Sequence, residues 1–418
     1  MADNSNNRTT ASSSDIHSCP ICHDPFHGDH AAFENHVNSH FADEEQDDQH
    51  PPPLPPPLDQ APVLLIHPHK LQGDAVPLGH SELFDVPDVT STIQDTEDDF
   101  KIPCEAQNCN MMGIAGLIAK TRMLLETSLA QGVTQQAYLA DTSTMLFQSD
   151  KSDRGWGCGY RNIQMMLSYV VGQTDSIETT STATTTTTPS VPTIPELQRQ
   201  LEYAWTNGFD AQGAEQLKHK VEGTKKWIGT TEAWSVLCSL GVRCSILDFH
   251  MPSGPDGTHP AMFAAVYEYF GSPNWSPLSA PLSLHVDNSR LNGNEGQDRI
   301  IQTAKPPLYM QHQGHSRTIV GIEILKEDRG MNLLVFDPGR WLHNAIPTLR
   351  REVISQSISP SMGSKAIVAW DKKLDAQYLL KAFRLQVGSG VAKAQYQLLG
   401  WTEDEHEGSK SVTSTRVP

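Results

Sequence analysis

The sequence predicts an α+β fold, with a small zinc-binding module ahead of one large domain. Three observations carry this. Helical and strand-like patterns alternate irregularly from about residue 102 onward, which does not suit a doubly wound sheet. The runs "GHSRTIVGIEIL" and "MNLLVFDPG" read as strands joined by "KEDRG", a short link that makes them antiparallel neighbours. Near the N-terminus, Cys19, Cys22, His36 and His40 stand in a C-x2-C-x13-H-x3-H spacing.

Taken in order, residues 1–15 are polar and expected to be disordered. Residues 16–41 form the zinc module, a ββα finger with Phe26 and Phe33 as its small apolar core. Two thiolates on a turn and two imidazoles one helical turn apart converge on one tetrahedral zinc. Residues 42–101 begin acidic, turn proline-rich in "HPPPLPPPLDQ", and read as a solvated linker. The large domain spans 102–404, and 405–418 read as a tail.

Within the large domain, apolar residues recur at helical spacing over 111–130. The threonine-rich run near 182–190 is a surface insertion. Helices follow from Pro195 to before "NGFD", over about 211–221, and over part of 227–240. "GVRCSILDF" reads as a strand, 252–260 and 271–300 as loops, and "KLDAQYLLKAF" as a late helix.

The charge balance, 31 basic against 49 acidic residues, gives a net charge of -18. Such a chain repels phosphate backbones and suits a basic partner. The finger has no Lys or Arg between Arg8 and Lys70, so it does not read as a DNA-binding finger, and a protein surface is the better partner. No apolar run reaches the roughly 20 residues of a membrane span. Seven scattered cysteines and no export signal predict reduced thiols in the cytosol or nucleus.

"DRGWGCGYRNIQMML" holds the chemistry. Glycines at 155, 157 and 159 permit a tight turn and a close backbone approach around Cys158. Ile163, Met166, Leu167, Val170 and Val171 then mark one helical face, so Cys158 stands at a helix start. The positive end of the helix favours a thiolate, and its N–H groups suit an oxyanion. The alternative is an inert core cysteine in a turn. A thiol peptidase also needs a base and an orienting group. His312 falls in an irregular polar stretch, whereas His315 begins an alternating strand. Asp337 ends the next strand, where it meets His315 if the register allows. Gln148, ten residues before Cys158, is a candidate oxyanion donor or an exposed loop amide.

"DRGWGCGYRN", "KKWIGTTEAW", "GHSRTIVGIE" and "LLVFDPG" together resemble the ZUFSP-type zinc-finger deubiquitinases. These belong to a papain-like family that also holds the ubiquitin-fold-modifier peptidases. The likeness covers roughly residues 105–403 and implies a papain-like cysteine peptidase domain. In the modifier peptidases the base sits in an Asp-Pro-His motif. Here that place reads Asp337-Pro338-Gly339, so His315 must supply the base, which is the deubiquitinase arrangement. The resemblance also implies that Asp210, Trp227 and Glu232 hold the substrate's C-terminal tail; by residue type alone Asp210 reads as a turn residue and Trp227 as core. It further implies ubiquitin and long polyubiquitin chains of the extended signalling-and-repair type as substrates. The finger and the 113–130 stretch would be ubiquitin-binding modules, and the setting would be nuclear and cytoplasmic, with genome-maintenance partners. A peptidase for another ubiquitin-like modifier and a catalytically silent ubiquitin-binding adaptor stand as alternatives.

Overall fold

A computed structural model describes residues 16–18, 25–27, 113–178, 190–272, 298–327, 329–340, 376–386, 393–402 and 410–417. The expected zinc ligands Cys19, Cys22, His36 and His40, the linker 42–101 and residues 1–15 lie outside them. Of the finger, β1 (Ile16–Ser18) and β2 (Pro25–His27) are described as an antiparallel pair with His17 opposite Phe26.

The large domain is a nine-stranded sheet with helices on both faces. Its helices are α1 (Leu117–Ala130), α2 (Cys158–Glu178), α3 (Ile194–Thr206), α4 (Ala211–Gln216), α5 (Thr230–Ser239), α6 (Pro260–Gly271) and α7 (Ala376–Leu380). Its strands are β3 (Thr134–Leu139), β4 (Cys244–Phe249), β5 (Ile300–Gln302), β6 (Leu308–His312), β7 (His315–Leu325), β8 (Met331–Phe336), β9 (Arg384–Gln386), β10 (Tyr396–Trp401) and β11 (Ser414–Arg416). The order runs β11-β4-β10-β6-β7-β3-β5, while β8 pairs with both β7 and β9.

Strand β7 organises this sheet. Its first half pairs antiparallel with β6, its second half with β3, and β8 runs antiparallel along its other edge. Neighbouring residues on the strands point to opposite faces. Leu247, Leu308 and Leu398 join one buried cluster with α1 and α6, while Ile246, Tyr309 and Leu399 join another with α2, α3 and α5. The sheet is thus covered on both sides, and its middle strands show little polar alternation.

Local signals set the helix starts. Thr193 caps α3 by accepting from Glu196 N–H, and the Glu196 carboxylate accepts Thr193 N–H in return. Glu232 closes half of the same device at α5 by accepting Gly229 N–H at 2.7 Å.

Several elements differ from the expectation. His312 is no loop residue: it is the last, buried residue of β6, which turns into β7 through only Gln313 and Gly314. Helix α6 lies in a stretch without an expected helix, because it is apolar on nearly every side and starts on a proline. Helix α1 is an integral part of the large domain rather than a separate unit. Leu117, Ile118, Leu124 and Leu125 are buried, packing it into the core against β3 and α7. The last residues also belong to the sheet, since β11 pairs parallel with β4 and Val417 is buried.

Candidate active site

The turn 151–157 delivers Cys158 as the first residue of α2. Gly155 has φ 90°, the left-handed region that a side chain disfavours. A Cβ on Gly159 would lie 2.6 Å from Ile228 Cγ1 and 2.8 Å from Ile228 O, so only glycine lets the 227–229 backbone pass beside the nucleophile. The turn is fixed from below by Asp153, which is buried and accepts from Arg161 Nε at 3.0 Å and Nη2 at 2.9 Å.

Asn162, one turn into α2 and fully buried, ties the helix to β7. Its Nδ2 donates to Cys158 O at 2.8 Å and Ser316 Oγ at 2.9 Å, and its Oδ1 accepts from Thr318 Oγ1 at 2.8 Å. The strand residues Ser316 and Thr318 therefore face the helix that starts at Cys158.

Cys158 is partly exposed, and His315 lies close enough to act on its thiol. Burial acts to raise the thiol. The hydrogen bond and charge of His315, with hydrogen bonds from the Ser316 side chain and backbone, outweigh it and hold Cys158 below the ordinary thiol range. His315 Nε2–H donates to Asp337 Oδ1 at 2.8 Å. Burial opposes charging of His315, but its hydrogen bonds to Asp337 and Cys158 raise it to about 9. Burial likewise works against the Asp337 carboxylate; His315 and Arg317 outweigh it and keep Asp337 well below the usual carboxylate range. Cys158, His315 and Asp337 thus meet as an ordered chain of contacts.

Gln148 lies beside this chain but is engaged. Its Nε2 donates to Arg340 O at 3.0 Å, and Ser149 N–H donates to Pro338 O at 2.9 Å. These bonds tie the loop before the nucleophile to the turn after Asp337.

Asp210 and Glu232 also come together. A Cβ on Gly213 would meet Asp210 Oδ2 at 2.2 Å and Glu232 Oε1 at 3.0 Å, so the two carboxylates flank that glycine. Asp210 caps α4 from a left-handed backbone (φ 43°), and burial pushes its carboxyl up. Trp227 is buried on the segment that crosses Gly159. Both carboxylates thus have helix-start duties and sit on the side of α2 past which the 227–229 strap runs.

Residue types alone missed Arg317 and Asn162, and set His312 aside as part of an irregular stretch. Arg317 stands two residues after His315 on β7, so the strand period places both on one face, a signal present in "HSRT". Among the described residues, no cluster of His, Cys, Asp and Glu is arranged to hold a metal.

Residues 133–378 match the model of Peptidase family C78. A mouse protein named zinc finger-containing ubiquitin peptidase 1 is 45% identical over 193 residues, covering 46% of this chain and 29% of its own length. The human protein of that name is 39% identical over 221 residues, covering 52% of this chain and 34% of its own. The chain therefore spans about a third or less of these relatives. A Schizosaccharomyces pombe protein named ubiquitin carboxyl-terminal hydrolase mug105 is 32% identical over 189 residues, covering 45% of this chain and 62% of its own. A solved structure described as UfSP from C. elegans aligns at 16% identity and TM-score 0.32, covering 66% of this chain and 35% of that one.

Proposed function

The chain belongs to peptidase family C78, and from that premise we propose that it is a thiol-dependent deubiquitinase. It would cleave the peptide or isopeptide bond after the C-terminal glycine of ubiquitin. The observation that carries this reading is the contact chain from Cys158 through His315 to Asp337 at a helix start.

The geometry suits the chemistry step by step. The Cys158 thiolate attacks the glycine carbonyl, and the oxyanion forms beside the first N–H groups of α2. Gln148 Nε2 joins as a second donor once it leaves or shares Arg340 O. With Nε2 committed to Asp337, Nδ1 is the His315 nitrogen left to serve the thiol and to protonate the leaving amine. The resulting thioester is hydrolysed by a water that His315 activates.

Gly339 favours ubiquitin over the ubiquitin-fold modifier. A Cβ there would lie 3.6 Å from His315 Cε1 and 3.5 Å from Asp337 Oδ1. A side chain at 339 would start in ordinary contact with His315 and Asp337, and glycine there leaves His315 on β7 as the base. Asp210, Glu232 and the Trp227 ring are suited to an arginine-bearing tail entering beside Gly159, by carboxylate pairing and stacking. The names of the mammalian and yeast relatives support the same substrate class.

The N-terminal hairpin supports a zinc finger. The antiparallel pair of β1 with β2 brackets, in sequence, the six residues 19–24 that include Cys19 and Cys22. Those two cysteines with His36 and His40 would hold a structural zinc that organises the finger as a ubiquitin-binding surface. It would serve long polyubiquitin chains of the extended type, in the nucleus and cytoplasm and in genome maintenance.

A ubiquitin-propargyl probe is expected to label wild-type protein and not Cys158→Ala. Labelling only by the corresponding ubiquitin-fold-modifier probe would replace ubiquitin as the substrate. No labelling by either, in folded reduced protein that still binds ubiquitin chains, would leave a silent adaptor. Cleavage of linkage-defined chains with and without residues 1–60 then reads linkage and the finger's role.

A further inference from the structure

We infer that Arg317, held in place by His312, is a positioning residue that fixes the plane of Asp337 and through it the base His315. This rests on the reading of Cys158, His315 and Asp337 as the reacting set.

The argument begins with the tautomer of His312. An arginine only donates hydrogen bonds, so the 2.7 Å contact between Arg317 Nη1 and His312 Nε2 makes that nitrogen the acceptor. The proton then sits on Nδ1, which donates to Gln313 O at 2.9 Å. His312 is a neutral ring locked by the tight turn between β6 and β7, and the Tyr396 ring packs edge-on against it at 5.7 Å between centroids. Burial and the nearby Arg317 charge hold it neutral, at about 3. Its one N–H is held by Gln313 O and its other nitrogen by Arg317, so it takes up no further proton near neutral pH and serves as an anchor.

The anchored guanidinium then meets the carboxylate. Arg317 Nε donates to Asp337 Oδ2 at 2.7 Å. Oδ1 receives His315 Nε2–H at 2.8 Å and Gly339 N–H at 2.9 Å. Both oxygens are thereby assigned, and the carboxylate cannot rotate without breaking one side. The charge of Arg317 itself works against the imidazolium, since it partly neutralises Asp337. Electrostatics alone would therefore make its removal favourable to charged His315. Orientation predicts the opposite, because an unfastened Asp337 lets the ring swing away from the thiol.

The test measures alkylation of Cys158 by iodoacetamide near neutral pH, read by peptide mass spectrometry, beside chain cleavage. Arg317→Ala and His312→Leu are expected to slow alkylation roughly 10-fold or more and to lower kcat with little change in KM. Methylguanidine is expected to restore part of the Arg317→Ala rate. His312→Gln, which keeps an acceptor for Arg317, is expected to outperform His312→Leu. Arg317→Lys offers one point donor in place of a fork and is expected to remain slow. Should Arg317→Ala fail to fold, the Lys variant and the two His312 variants decide the matter. Wild-type alkylation and kcat in folded Arg317 variants would overturn the inference and leave the ubiquitin reading standing. Alkylation that depends on Arg317 in a protein that cleaves no ubiquitin chain would support the inference and sink the ubiquitin reading.

Discussion

His315 Nε2 stands 2.8 Å from Asp337 Oδ1, and that single contact decides which ring nitrogen serves Cys158. An ionised carboxylate can only accept, so Nε2 carries a proton and Nδ1 is the nitrogen left to serve the thiol. Asp337→Asn presents an amide that can turn its NH2 toward the ring and impose the wrong tautomer. The expected outcome is a fall of roughly 10²- to 10⁴-fold in kcat/KM for ubiquitin-chain cleavage, with the fold retained. A decrease of under about threefold would show that Asp337 has no part in orienting the base.

The same contacts set the pH window. Cys158 lies below its ordinary range and His315 is raised to about 9, so thiolate and imidazolium coexist between the two values. Cleavage should rise as Cys158 ionises and fall as pH passes about 9, where His315 loses the proton that the leaving amine needs. Stability follows by linkage. A histidine raised above its unfolded value of roughly 6.5 stabilises the fold fully below that value, and this is lost as pH rises through about 9. Asp337, depressed, contributes above roughly 3.9, and that contribution is lost on acidification. Thermal unfolding of wild type and His315→Ala across this range checks the sign: the gap between them should narrow toward alkaline pH.

Much of the site was legible because its groups lie where the chain pattern changes. Cys158 stands at the switch from glycine turn to helix, His315 at the first residue of an alternating strand, and Asp337 just past a strand end. What stayed hidden was buried on both sides. β6 is "LYMQH", with every residue buried, so it shows no alternation and His312 passes for loop. β3 hides behind two glutamines, one of them, Gln136, buried. Glu232 caps α5 and Asp210 caps α4, so their pairing across Gly213 depends on how two helix starts pack, which no local pattern encodes.

Gly159 tests the close approach beside the nucleophile. A Cβ would press on both the side chain and the carbonyl of Ile228, and a carbonyl cannot swing aside. Gly159→Ala is expected to cost about 1–3 kcal/mol in stability, as overpacking does. It should also displace the Trp227 segment and lower probe labelling beyond what the stability loss explains. Denaturant unfolding paired with labelling kinetics at full folding separates the two effects.

At the far end of β7 the sheet depends on a buried ion pair. Glu323 is fully buried, and its carboxylate receives Arg384 Nε at 2.7 Å, Arg384 Nη2 at 2.6 Å and Asn332 Nδ2 at 2.7 Å. Arg384→Ala would strand that charge in the core. Breaking one side of such a pair costs roughly 3–5 kcal/mol, whereas replacing both sides with apolar groups is often neutral. Arg384→Met alone should therefore destabilise strongly, and Glu323→Leu with Arg384→Met should recover much of the loss in chemical denaturation.

Glu232 offers the sharpest test of the tail-binding reading, because its two duties can be separated. One oxygen accepts Gly229 N–H at 2.7 Å to start α5, and the other faces the Asp210 carboxylate across Gly213. Glu232→Gln keeps an acceptor for the cap and removes the charge. If the pair serves only the helix start, the variant should behave as wild type in both stability and cleavage. If it holds an arginine of the substrate tail, one charged hydrogen-bonding partner is lost, worth about 1.5–3 kcal/mol. That converts to roughly a 10- to 100-fold lower kcat/KM, expressed mainly in KM, because the contact is made before and during reaction alike. Iodoacetamide should still alkylate Cys158 at the wild-type rate, since the nucleophile and its base are untouched. Replacing the tail arginine of the substrate by leucine should then cost wild type more than it costs Glu232→Gln. Equal costs in the two proteins would place the arginine elsewhere.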